Sequence, residues 1–142
     1  MFSISFRRPL DPKQKFSLGT IVLGTATDGF HASFDYWQPS DYEKQWREAV
    51  KLIVNGAEKA ALITEMPPPS KANFVRWWPM WRFQDAVRIH EQILFMDQLN
   101  TPFTLEDPYA HVDNYHEFNE EGERLSEWTV PLQDFVEFLQ NA

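Results

Sequence analysis

Apolar and polar residues alternate at the start of the chain, where Phe2, Ile4 and Phe6 are interleaved with Ser3 and Ser5. A period of two turns one side of a strand toward a core and the other toward water. Pro9 and Pro12 end that run. Two further alternating runs flank Asp28-Gly29, a dipeptide suited to a two-residue hairpin turn. Such a turn sets Leu23 opposite Phe34 and Ile21 opposite Tyr36. The apolar positions of both strands then share one face.

From Ser40 the period changes. Ser40 and Glu43 form an S-x-x-E capping box, and Tyr42, Trp46, Ala49, Val50 and Ile53 follow at helical spacing up to Gly56. The pattern predicts an amphipathic helix over 41–54 with its aromatic face on a sheet. Ala61 to Met66 predicts a short apolar strand, and Pro67-Pro68-Pro69-Ser70 a loop. Asn73 to Trp78 predicts another strand, with Pro79 forcing an edge or a bulge. Val87, Ile89, Ile93 and Phe95 predict one longer strand in which Glu91 falls on the apolar side; a bulge or a sheet end would each account for it.

Residues 100–123 are polar and acidic with Pro102, Pro108 and Gly122, a pattern of long loops with room for one short strand. Glu127 to Val130 predicts a final strand. Pro131 suits the first turn of a closing helix lined by Leu132, Phe135, Phe138 and Leu139. Strands, helix, strands, helix with hairpin-like connections make an α+β chain with antiparallel sheet and two packed helices, not a βαβ nucleotide-binding unit.

A chain of 142 residues reads as one domain, residues 1–142. At that size roughly 68–70% of the unfolded surface is buried on folding. The absence of cysteine removes disulfides and a thiol nucleophile. The opening MFSISFRRPLDPKQ lacks the basic start and unbroken apolar run of a signal peptide, and no window approaches the roughly 18 apolar residues of a membrane span. These features place the protein in the cytoplasm.

Charge changes the picture more than composition does. The net charge of -8 disfavours nucleic acid as a partner. Residues 101–142 carry ten acids against one base, Arg124, whereas residues 1–100 carry eleven acids and twelve Lys and Arg. That asymmetry points to a basic partner; a solvated acidic loop that maintains solubility is the plainer alternative.

No constellation for chemistry emerges. Gly19, Gly24 and Gly29 do not make a phosphate loop, and the serines lack a nucleophile-elbow context. His111 and His116 lie near Asp113 and Glu117, but the spacing matches no zinc pattern. His31 and His90 read as surface residues of strands. The clustered carboxylates Glu120, Glu121 and Glu123 are unspecific as acid/base candidates. No catalytic residue, metal or cofactor is assigned, and the chain does not read as an enzyme. One segment stands out: Arg76, Trp77, Trp78, Trp81 and Arg82 fall between Phe74 and Phe83. They could form a stacking platform for single-stranded nucleic acid. The reading favoured for most of the indoles is a core sheet, with one exposed tryptophan as a possible anchor for a protein partner.

An ordered set of residues carries a family likeness: Tyr36-Trp37, Asp41-Tyr42 and Trp46; Lys59-Ala60-Ala61-Leu62 and Met66; Pro69, Asn73-Phe74 and Trp77 or Trp78; Val87, Ile93-Leu94-Phe95 and Pro102-Phe103; then Glu106-Asp107-Pro108-Tyr109, Gly122 and Ser126-Glu127-Trp128, with a closing helix through Phe135 and Phe138. Over about residues 30–140 the pattern resembles the immunity proteins of bacterial contact-dependent growth inhibition systems, in the group typified by the Enterobacter cloacae immunity protein. The resemblance implies a cytoplasmic inhibitor that binds the C-terminal toxin domain of a large surface effector. It also implies a Whirly-like fold and, for the typical member, a toxin that cuts 16S ribosomal RNA. A nuclease toxin needs a basic face for RNA, so an acidic inhibitor surface would complement it. Asp113, Glu117, Glu120, Glu121 and Glu123 are the expected contacts.

Overall fold

The computed structural model describes residues 1–11, 13–68, 70–71 and 73–141. Pro12, read as a strand terminator, and Pro69, part of the proline loop and the family pattern, lie outside the described residues. Strands β1 (Phe2–Phe6), β2 (Phe16–Leu23) and β3 (Ala26–Ser33) form one antiparallel sheet in that order. Strands β4 (Lys59–Glu65), β5 (Phe74–Phe83), β6 (Ala86–Ile89) and β8 (Trp128–Pro131) form a second in that order, with β7 (Gln92–Phe95) paired to β5 beyond the end of β6. Helices α1 (Pro39–Val54) and α2 (Leu132–Gln140) pack on each other, α1 against β4 and α2 against β1. The α+β class, antiparallel sheets and two helices agree with the expectation.

Phe6 and Phe30 converge on Trp46 of α1 with ring centroids 5.0 and 5.6 Å away, and Phe2 meets Phe135 of α2 at 4.5 Å. Aromatic pairs at these separations add edge-to-face attraction to area burial. The five apolar positions predicted on α1 are all buried. The cap differs from the expectation. Pro39 begins the helix, and the Gln38 backbone N–H donates to Asp41 Oδ2 at 2.8 Å. Asp41 therefore fills the role assigned to Glu43, because a proline at the first helical position moves the start ahead of Ser40.

The joint between α1 and β4 is polar at its centre. β4 is an edge strand, yet Ala61 and Ile63 are fully buried, so their outward backbone groups need partners. Gln45 supplies two of these: its Nε2 donates to the Ala61 carbonyl at 2.8 Å, and its Oε1 accepts from the Ile63 N–H at 2.8 Å. Trp46 Nε1 donates to the Ile63 carbonyl at 2.7 Å, and Tyr42 Oη accepts from the Met66 N–H at 2.9 Å while donating to Ser33. One helix face thus stands in for a missing neighbouring strand.

The first hairpin forms in a different register from the one expected. Its turn is Gly24-Thr25, with Gly24 at φ +71°, and Leu23 faces Ala26 while Ile21 faces Asp28. Asp28 and Gly29 lie inside β3, and Tyr36 lies outside the strand. The two registers differ by an even number of residues, so both keep the same alternate positions on the inner face, and periodicity cannot separate them. Close packing locks the observed one. Phe30 lies opposite Gly19, and a Cβ at residue 19 would sit 2.0 Å from Phe30 Cζ.

Pro79 is likewise not at an edge. It lies in β5, which has partners on both sides. Opposite Ala61 its backbone points away from β4, because the Ala61 carbonyl is turned outward to Gln45. On its other side the Pro79 carbonyl accepts from the His90 N–H at 3.0 Å, where β6 has ended and β7 has not begun. The missing proline N–H faces that interruption, so no ladder bond is lost. The predicted single strand through residues 87–95 is therefore two strands, and Glu91 lies in the break between them. The three indoles of β5 are buried, Trp77 at 0%, Trp78 at 1% and Trp81 at 6% exposure, so they form core and cannot stack on bases.

Two substitutions test this packing by urea or thermal unfolding. Gln45→Leu, which keeps volume but strips both amide contacts from the β4 edge, is expected to cost about 3 kcal/mol. Gly19→Ala is expected to cost about 1–3 kcal/mol through the clash with Phe30, and Phe30→Leu in the same chain should recover part of it.

Candidate functional site

Between β7 and β8 the chain makes its longest excursion, residues 96–127, containing only two short 3-10 turns (Met96–Gln98 and Pro108–His111). Long connections of this kind commonly carry function. The second half of the excursion folds back on itself. Phe118 bridges to Arg124, the Leu125 N–H donates to the Glu117 carbonyl at 2.9 Å, and the Asn119 N–H to the Glu123 carbonyl at 2.8 Å. Asn119 Oδ1 accepts the backbone N–H groups of Glu121 at 3.0 Å and Glu123 at 2.8 Å. Gly122, at φ +80°, closes the turn in a conformation that side chains disfavour.

All five sequence-predicted contacts are exposed on this segment. Glu117, Glu120, Glu121 and Glu123 lie on the folded-back turn, and Asp113 lies at its base. Arg124 approaches Glu117 at 3.8 Å and covers the Phe118 ring at 5.0 Å. At that distance in solvent the pair offsets little of the negative charge.

The base of the loop is fixed by residues to which the sequence pattern assigned no part in holding it. Lys59 Nζ donates to the Val112 carbonyl at 2.6 Å, and Trp81 Nε1 donates to the Asp113 carbonyl at 2.9 Å. Tyr115 Oη accepts from Arg88 Nη1 at 2.9 Å and donates to Glu127 Oε1. The same carboxylate oxygen lies 3.0 Å from His90 Nε2. An ionised carboxylate only accepts, so Nε2 is the protonated nitrogen of His90. His90 is 5% exposed, packed against Trp81 and Tyr115. The expectation of a surface histidine is thereby corrected: the break after Ile89 interrupts the strict alternation that would have turned it outward.

Burial pulls the Glu127 carboxyl upward, but the hydrogen bonds from Tyr115 and His90 and the charges of His90 and Arg88 outweigh it, leaving its pKa below the ordinary glutamate value. Burial, and after it the bond to Glu127, pushes the Tyr115 phenol upward. The histidine pair His111 and His116 does not gather ligands. His111 Nε2 lies 3.2 Å from the Pro102 carbonyl and His116 Nδ1 lies 2.9 Å from the Asn114 carbonyl. Among the described residues no group of three or more His, Asp or Glu side chains is placed to hold a metal ion. Among them, too, no helix is long and apolar enough to cross a membrane.

Comparison with known proteins bears on this arrangement. The model of the CdiI N-terminal domain family matches residues 32–138. The immunity protein CdiI of Enterobacter cloacae subsp. cloacae is 22% identical over 122 residues, spanning 86% of this chain and 83% of its own length. A chain of the CdiA-CT/CdiI toxin and immunity complex from Enterobacter cloacae superposes with a TM-score of 0.86 at 22% identity, with 100% of both chains covered. At that identity the superposition speaks for the fold.

The tether has a testable pH signature. The folded pKa of Glu127 lies below its unfolded value, so its contribution is complete above the ordinary glutamate range, about 4.3. It is lost as pH falls through the depressed folded value. Glu127→Gln should flatten this part of the acid limb of the stability curve. Tyr115→Phe should cost about 1 kcal/mol at neutral pH and raise hydrogen exchange in residues 113–125, leaving β4 and β5 protected.

Proposed function

The chain belongs to the CdiI N-terminal domain family, and on that premise we propose that it is an immunity protein of a contact-dependent growth inhibition system. It binds the C-terminal toxin domain of the system's surface effector and protects the cell that makes both. Residues 1–142 act as one domain in the cytoplasm, where a nuclease toxin would meet its RNA. Inhibition is by occupancy: the chain supplies no catalytic group, cofactor or metal to the complex.

The observation that carries the contact surface is the placement of Asp113, Glu117, Glu120, Glu121 and Glu123 on one exposed, internally hydrogen-bonded loop whose base is tied to a buried sheet. A nuclease domain must present positive charge where RNA phosphates bind. An inhibitor that offers carboxylates at fixed positions satisfies the same charges and blocks the same face. Complementary fields raise the rate of encounter, and a tethered loop loses less conformational freedom on docking than a slack one. The acidity of residues 101–142 is then a feature of the interface and not only of solubility.

The test uses the effector's C-terminal toxin domain, which this reading expects in the reading frame directly upstream. Co-expression should rescue growth. The triple variant Glu117→Lys, Glu120→Lys, Glu121→Lys should associate with the toxin at least tenfold more slowly at low salt, with a flattened or inverted dependence on ionic strength. Unchanged affinity in that variant would refute the loop as the contact surface. Failure of the unaltered chain to bind or rescue would refute the immunity role.

A further inference from the structure

The interruption that accommodates Pro79 also opens a groove of about 460 Å³ beside the acidic loop. Three carboxylates from separate parts of the chain line it: Asp28 from β3, Glu91 from the break between β6 and β7, and Asp113 from the base of the loop. Trp81, Leu125 and Trp128 contribute apolar surface between them. Among the described residues lining the groove none is lysine or arginine. Arg76, whose charge reaches Glu91, is engaged with Glu65 at 3.0 Å. Partial burial, and after it the charge of Asp28, hold the Glu91 carboxyl above its ordinary range against the opposing charge of Arg76. His90 and His116 also line the groove, and His90 Nε2 is directed to Glu127 at 3.0 Å.

We propose that this groove is a socket for one lysine or arginine side chain of the bound toxin, which makes Asp28 and Glu91 specificity-determining contacts outside the acidic loop. The inference rests on the immunity reading. The fit follows from the two kinds of surface present. A long basic side chain lays its methylene stem on apolar walls and carries its charged head to the end, where carboxylates on different walls can accept its hydrogen bonds together. Aromatic walls also favour a cation. A small acidic patch on an open surface would offer neither depth nor an apolar floor. The groove is continuous with the proposed contact surface through Asp113, so one partner can engage both. The division of labour is physical: exposed glutamates at the loop tip act at long range and govern encounter, whereas a cation seated in the groove is partly desolvated and governs dissociation.

Asp28→Asn and Glu91→Gln isolate the groove. Among the described residues Asp28 Oδ1 accepts only the neighbouring Gly29 N–H, an acceptor that asparagine retains, and Glu91 is exposed, so both variants should keep the thermal midpoint of the unaltered chain. Binding is measured against the same toxin domain by surface plasmon resonance at physiological salt. The double variant is expected to dissociate about tenfold faster with little change in association rate. In a scan of the toxin's lysines and arginines to methionine, one substitution should weaken binding to the unaltered chain and have no further effect on the double variant. Wild-type dissociation by the double variant, with the loop-reversal variant still impaired, would overturn the socket while sparing the immunity role. A scan in which no basic residue couples to Asp28 or Glu91 would also overturn it. Absence of toxin binding by the unaltered chain would remove both.

Discussion

The bond pattern between Gln45 and the edge of β4 is the constraint on which the rest of the molecule hangs. A sheet edge buried against a helix has backbone donors and acceptors that water cannot reach, and each left unpaired costs more than an ordinary hydrogen bond contributes. Gln45 answers with an amide that mimics a neighbouring peptide, taking the Ala61 carbonyl and the Ile63 N–H together. The spare hydrogen on its Nε2 reaches Tyr109 Oη at 2.9 Å, in the long excursion that ends at the acidic loop. Helix, sheet and loop therefore meet at one side chain, and the position of the loop is inherited from the core.

A second constraint is the proline in the middle of β5. Its partner strand must stop where the N–H is missing, and β6 and β7 divide the work on either side of the gap. At the gap His90 keeps its N–H on the Pro79 carbonyl and turns its ring inward against Trp81 and Tyr115, where it meets Glu127. It also leaves Glu91 facing a groove instead of a core. A backbone requirement at one residue thus shapes both the tether of the acidic loop and the cleft beside it.

Electrostatics and packing play separate parts in the proposed inhibitor. Charge at an exposed tip is cheap to maintain, because water solvates it in the free protein, and its attraction reaches several ångströms before contact. Fixing that charge in space requires the hydrogen bonds at the loop base, which contribute nothing to encounter. On the proposed reading, carboxylates on a tethered rim next to a partly desolvated groove would combine fast association with slow release.

Much of this was legible in the residues. The period of two in Phe2, Ile4 and Phe6, the helical spacing from Tyr42 to Ile53, the stop at Gly56 and the concentration of acids after residue 100 are local signals, and each marks the element or surface found there. The register of β2 on β3, the central position of Pro79, the burial of His90 and the Gln45 bridge were not legible. Each depends on which residue from elsewhere in the chain arrives opposite: Phe30 over Gly19, an interrupted strand beside Pro79, Glu127 against His90, the β4 edge against Gln45. Sequence by itself determined which segments form strands, helices and charged loops, because propensity and solvation act over a few residues. Tertiary structure decided the register, the tether and the groove, because steric exclusion and the pairing of buried polar groups are settled only when distant segments meet.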